Sequence, residues 1–271
     1  MNAVNFALLV VAALAASSSA DCDACLQNIC YSKSTVLKRI DTTGGLDVDR
    51  KTNTLYLQYR SSYLNVGIGL DDGKITRIPD VDYTTCRAVD QQTGQVYLGT
   101  TRGLHEYNPA TDTSRFLGLQ SETIMVMQHS KKLYYAKLPN GMCTVDRDYK
   151  WECIRALRNV KIEDFVVDKK DDIYYRSGSQ HYRLANNSDV PEYLFTHRFA
   201  KLAVDVNGEV YTSVFRDVSK LNYESDDFEP IGSVKLVNMS ELVFDGNNNL
   251  VFRDIQSSPA SIMKLVPNGT C

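Results

Sequence analysis

The chain is poor in the residues that build the common catalytic and metal centres, with four histidines and one tryptophan in 271 residues. His105, His129, His181 and His197 stand far apart with no ligand spacing, and no HExxH run occurs, so a histidine-built metal centre is not expected. A GxSxG elbow and a phosphate-cradling glycine loop are also missing, which removes the common serine-hydrolase and nucleotide-binding signatures. Gly67, Gly69 and Gly73 are wrongly spaced for a dinucleotide loop and suit hairpin turns instead. Neither sign of charge dominates. A net charge of −3 gives no reason to expect nucleic acid or an anionic membrane as partner. No long amphipathic helical period occurs, and the one apolar run, residues 6–16, is too short to span a bilayer.

That run is followed by Ser-Ser-Ser-Ala ending at Ala20, the layout of a secretory signal peptide. Residues 1–20 are therefore set apart from the fold, and residues 21–271 are expected to form one secreted, extracellular, monomeric domain. Sixteen tyrosines among many Val, Leu and Ile lean toward strands. Seven cysteines in such a chain imply disulfides with one thiol left over. Cys143 and Cys153 flank a turn-like segment and are expected to bridge neighbouring strands. Cys22 and Cys25 read as ordinary disulfide partners on an irregular leader rather than as a redox pair.

A repeat organises the rest. Each copy is a short apolar strand ending in Asp, a polar turn, and a second strand with an apolar centre, as in GLDVDRKTNTLYLQYR and KLAVDVNGEVYTSVFR. The anchors Asp49, Asp90, His129, Asp168, Asp205 and Asp245 are spaced by 41, 39, 39, 37 and 40 residues. Two further extended runs follow in each copy, making four strands per unit, the content of a propeller blade. The expected fold is an all-β, six-bladed β-propeller in which an N-terminal strand, residues 34–40, closes the last blade and removes an open edge. That closure brings Cys271 near Cys22, Cys25 or Cys30, and Cys30 is taken as its disulfide partner. The repeated Asp is expected to cap its own turn.

The start of each repeat's first strand should lie at one mouth of the channel. Carboxylates occur there at Glu163, Asp164 and Glu241, as a calcium-dependent lactonase or esterase on this fold would want, but Arg87 and Lys201 stand beside them. Just past every second strand comes a cation: Arg60, Arg102, Lys137, Arg176, Arg216 and Arg253. Strand ends favour basic residues for solvation alone, yet six such groups around one mouth would suit a planar carboxylate ligand. Met125 stands at the same mouth, and Tyr63, Phe165, Phe199 and Phe215 could supply stacking walls.

The stretches TNTLYLQY (Thr52 to Tyr59) and GTTRGLHEYN (Gly99 to Asn108), behind a cysteine-containing leader, make the chain similar to the ommochrome-binding proteins of moth and butterfly haemolymph. The resemblance implies a non-enzymatic pigment carrier whose small-molecule ligand is an ommochrome such as xanthommatin, with no cofactor and no metal required. Arg60, Tyr63, Arg87, Arg102, Met125, Phe165, Arg176, Lys201, Phe215, Arg216 and Arg253 are the ligand-binding candidates. Two alternatives are a biliverdin-type chromophore, to which a free thiol such as Cys86 could add, and the calcium-dependent hydrolase.

Overall fold

The computed structural model describes residues 22–271 except 121, 199 and 257. The proposed signal peptide and Phe199 therefore lie outside the described residues. The chain is all-β and propeller-like, with one 3-10 turn, Arg155–Leu157, as the only helix among the described residues. Repeats 1 to 4 each form a four-stranded antiparallel meander. Repeat 1, for example, runs Thr42–Asp49, Thr54–Tyr59, Asn65–Gly69 and Ile75–Arg77. The remaining strands share one nine-stranded sheet.

The burial gradient within a repeat explains its composition. Second strands such as Leu133–Lys137 and Val210–Val214 are buried along four successive residues, because neighbouring sheets cover both faces. Fourth strands face water, and Ile75–Arg77 is exposed throughout. Apolar clusters fill each gap between successive repeats. Val89 and Leu98 of repeat 2 pack on Tyr56, and Phe165 and Tyr175 of repeat 4 pack on Tyr134 and Met142. Val251 and Ile262 of repeat 6 pack back onto Leu46 and Leu57 of repeat 1, which closes the ring.

The repeated aspartates do cap their turns. The Asp49 carboxylate accepts from Lys51 N at 3.0 Å, Asp168 from Lys170 N and Asp172 N, and Asp245 from Asn247 N and Asn249 N. Short polar side chains hold the backbone amides of a tight turn, which is why Asp recurs and why no metal is needed to explain it.

Closure differs from the expectation in two respects. The closing strand is Ile29–Leu37, paired antiparallel with Ser261–Thr270, so it starts five residues earlier than residue 34 and ends before Ile40. The cysteine leader is not irregular: Ala24–Leu26 forms a hairpin with that strand and also pairs with Asp227–Val234, the outer strand of repeat 5. This short strand fuses the sheets of repeats 5 and 6 into one of nine strands. The disulfides follow from the hairpin. Cys271 bonds Cys25 rather than Cys30, Cys30 bonds Cys22, and Cys143 bonds Cys153 as expected. In the hairpin register Cys25 lies opposite Cys30, and Cys271 N donates to Asn28 O at 3.0 Å, which brings the C-terminus to the hairpin tip. Among the described residues no helix is long and apolar enough to cross a membrane.

Candidate functional site

The first strands of all six repeats line a central cavity of about 280 Å³. Its two ends differ. At the end where the aspartate turns lie, Arg50 of repeat 1 reaches across to donate from Nη2 to Val204 O of repeat 5 at 2.8 Å. Its backbone is fixed by Gln91, whose Oε1 accepts from Arg50 N at 3.0 Å and whose Nε2 donates to Val48 O at 2.8 Å. The guanidinium thus spans the far end of the channel.

The opposite mouth is shaped by β-bulges. The first strands of repeats 1, 2, 3 and 6 shift register against their second strands at the mouth: between Thr43 and Asp47, Thr84 and Cys86, Ile124 and Val126, and Met239 and Glu241. A bulge adds a residue without a ladder partner and re-aims the side chains beside it. Repeat 6 thereby sets Glu241 opposite Arg253 and on the cavity wall. In repeat 2 the bulged Thr85 hydroxyl donates to Gly99 O and Ile124 O, tying repeat 2 to repeat 3. Gly44 meets the same bulge from repeat 1. Its φ is +66°, and a Cβ there would stand 2.5 Å from Thr85 O, so only glycine lets the strands approach so closely. That approach delivers Gly45 O to the buried Arg87 guanidinium, which also donates to Thr84 Oγ1 at 3.2 Å.

Charges at the mouth are unequal in freedom. Glu163 is engaged by Lys161 at 2.8 Å and by Arg176 at 2.5 Å, and the Lys161 hydrogen bond leads the effects that hold its carboxyl below the usual range. Asp164 accepts from Leu202 N at 3.3 Å. Asp47 accepts from Val48 N and Val89 N, each at 2.8 Å, and burial pushes its carboxyl up to about 6 against those bonds and the pull of Arg50 and Arg87. Glu241 stands apart. Its Oε2 is buried with no hydrogen-bond partner among the described residues, and its other oxygen lies 3.9 Å from Arg253. Burial raises the Glu241 pKa, with Arg253, Lys201 and Arg87 drawing it partly back. Arg87 itself is lowered by burial to about 10 and stays cationic at neutral pH.

Of the residues expected to bind ligand, Arg87, Met125, Phe165 and Lys201 line the cavity. Arg60, Tyr63, Arg102, Arg176, Phe215, Arg216 and Arg253 do not. The cations do not form a ring free to bind anions. Arg176 folds back on Glu163, Lys137 on Glu122, Arg253 faces Glu241, and exposed Arg60 and Arg216 sit near Asp41 and Asp217. Asp217 follows Arg216 directly in the chain, whereas strand register, invisible in spacing, sets Arg176 opposite Asp164, next to Glu163, and Arg253 opposite Glu241. Cys86 is the one free thiol among the described residues, and it lines the cavity. Burial pushes it up to about 12, so it is a poor nucleophile for covalent capture of a chromophore.

The carboxylates do not fit a calcium ion. Glu163, Asp164 and Glu241 all reach the cavity wall, yet among the described residues no three acidic, His or Cys side chains converge as ligands would. Glu163 is already neutralised by two cations.

The Asp47 arrangement has a measurable consequence. A carboxyl whose folded pKa is near 6 stabilises the native state fully below its ordinary 3.8 and loses that contribution as pH rises through 6. Asp47→Asn, which cannot ionise, should lack this loss. Urea unfolding from pH 4 to 7.5 should show the wild type losing up to about 3 kcal/mol relative to the variant. Parallel pH curves for the two proteins would refute the assignment.

No family model matches the chain, and no curated protein does. Solved structures do. A gluconolactonase from Xanthomonas campestris matches with a TM-score of 0.70 at 13% identity, covering 92% of this chain and 96% of its own. A structure described as a putative gluconolactonase matches at 0.67 and 13%, covering 89% and 93%. A luciferin-regenerating enzyme matches at 0.66 and 12%, covering 89% and 96%. At such identities the likeness establishes the fold alone. The expectation that the chain is not an enzyme runs against these matches: all three are described as enzymes, none as a pigment carrier.

Proposed function

We propose that the protein is a secreted, six-bladed β-propeller hydrolase of the lactonase or esterase type, acting on a small ester or lactone at the bulged mouth of the channel. The observation that carries this reading is Glu241, a cavity-lining carboxylate whose buried Oε2 has no hydrogen-bond partner among the described residues and whose other oxygen has only Arg253 at 3.9 Å, on the same wall as Arg87 and Lys201. The likeness to gluconolactonases supports the reaction class. Apolar clusters between all successive repeats, with repeat 6 returning to repeat 1, support six blades, the nine-stranded sheet being two blades joined through Ala24–Leu26. Three disulfides support an oxidising compartment.

In this reading the ionised Glu241 takes a proton from water as the water oxygen adds to the substrate carbonyl. The new oxyanion is stabilised by Arg87 and Lys201, whose charges are fixed before reaction and gain strength away from bulk water. Collapse breaks the acyl C–O bond, and the leaving alkoxide takes the proton held on Glu241. The products are an alcohol and a carboxylic acid that then loses its proton to solvent, joined in one molecule when the substrate is a lactone. A base raised above the ordinary carboxylate range takes up that proton more readily near neutral pH. No three acidic, His or Cys side chains converge among the described residues, and every step is written on the chain's own residues.

The test is a panel of aliphatic lactones, glucono-lactone included, and small aryl esters, assayed with and without chelator. Hydrolysis of at least one class above background, retained in chelator, is expected. Absence of turnover across the panel would overturn the reading.

A further inference from the structure

Large apolar side chains left in water are unevenly distributed over this molecule. Fifteen are exposed among the described residues, and seven of them lie on the loops and bulges around the mouth that bears Glu241. Tyr63, Tyr83, Met125, Leu138, Phe215 and Leu236 come from five different inter-strand connections and one bulge, so they surround the opening rather than cluster on one side. The opposite end, closed by Arg50, carries three: Tyr149, Val190 and Val206. Scattered surface apolar residues need no explanation, but their concentration at one end of the channel does.

Their backbone makes the placement more pointed. Tyr63, Tyr83, Phe215 and Leu236 have φ of +55°, +52°, +55° and +54°. Bulky side chains rarely adopt this left-handed region, where glycine or asparagine is the ordinary choice. Four loops that solvation alone would fill with Gly or Asn instead hold large apolar groups at strained positions. Tyr63 and Tyr83, from neighbouring loops, pack together with ring centroids 4.3 Å apart and planes tilted by 32°.

The cavity below is small and polar at its charged wall. At about 280 Å³ it stands at the lower end of the range of small-molecule sites. Met125 belongs both to the exposed rim and to the cavity wall, so rim and cavity are continuous. We infer that the mouth is an apolar collar for amphiphilic substrates, with the ester or lactone head at Glu241, Arg87 and Lys201 and a hydrocarbon chain leaving the cavity past Met125 onto the apolar groups that surround the opening. This inference rests on the hydrolase reading for the identity of the head group, and on the collar for the chain.

Straight-chain carboxylates of four, six and eight carbons mimic the acyl product and test the collar without turnover. Each methylene that leaves water should tighten binding by up to about fourfold. Calorimetric titration of the full chain is expected to show at least tenfold tighter binding of octanoate than of butanoate. Tyr63→Ser, Phe215→Ser and Leu236→Ser combined, all at exposed sites, should bring octanoate down to the butanoate level, whereas Val190→Ser at the opposite end should keep the difference. Equal affinity at all lengths, no octanoate binding at millimolar concentration, or a difference that survives the triple substitution would overturn the inference. So would sedimentation with phosphatidylcholine vesicles that is unaffected by saturating octanoate, since the collar would then be a membrane-docking surface. A sloped carboxylate series without hydrolysis of any panel member defeats only the hydrolase reading, and hydrolysis with a flat series defeats only the collar.

Discussion

Glu241→Gln is expected to lower turnover by about 10²- to 10⁴-fold, the range for loss of a positioned general base. The substitution keeps side-chain volume and one carbonyl oxygen, so substrate binding at Arg87 and Lys201 should change little and the loss should fall on kcat rather than KM. Two further readouts separate catalysis from architecture. The wild-type rate should rise with pH through the raised Glu241 pKa, because only the ionised carboxylate accepts a proton, and the variant should lose that limb. Thermal stability should shift by no more than about 3 °C, since removing a desolvated charge offsets the loss of a pairing to Arg253 stretched to 3.9 Å. A variant that retains turnover within about threefold would remove Glu241 from the mechanism.

The fold was legible because propeller physics writes itself into the chain every forty residues or so. A turn that needs an acceptor two residues before its amides selects Asp, and a strand buried on both faces selects an unbroken apolar run. Asp49, Asp168 and Asp245 carry the first signal, and LYYAK at Leu133–Lys137 carries the second. The closing strand was legible for the same reason: a surplus strand at one end of the chain answers a missing strand at the other. The hairpin strand Ala24–Leu26 was not, because three residues of mixed character carry no period, and the choice of Cys25 over Cys30 depends on that hairpin's register.

The site was legible only in part. Which residues begin each first strand can be read from the repeat, and Arg87, Met125, Phe165 and Lys201 do line the cavity. Sequence spacing shows that the cations at the second-strand ends recur but not which groups they face. Arg176 finds Glu163 and Arg253 faces Glu241 across adjacent strands, a neighbour relation set by register. The bulges that shape the mouth leave almost no trace. Gly44 is the one letter that signals them, and its meaning depends on Thr85, forty-one residues away.

Removing the Cys25–Cys271 disulfide by Cys25→Ala with Cys271→Ala is expected to destabilise the fold far more than removing Cys22–Cys30 by the same means. The first bond spans 246 residues and the second 8. A cross-link acts chiefly on the unfolded chain, whose loop entropy grows with the logarithm of the enclosed length, giving about 5 kcal/mol for the long loop and about 2.5 for the short one. Architecture adds to the difference. The long bond joins the C-terminus to a hairpin that pairs simultaneously with the outer strand of repeat 5 and the last strand of repeat 6. Without it, the end of Ser261–Thr270 is no longer tied to the hairpin, and Ile29–Leu37 is held only by its ladders to Ser261–Thr270 and to the three-residue strand Ala24–Leu26. Equilibrium urea unfolding of the two double variants measures the contrast. Hydrogen exchange adds a spatial check: amides of Ile29–Leu37 and Ser261–Thr270 should lose protection first in the long-loop variant, while those of repeats 2 and 3 keep theirs. If the two variants unfold at the same urea concentration, the ring is held by strand pairing alone and the long disulfide is not its lock.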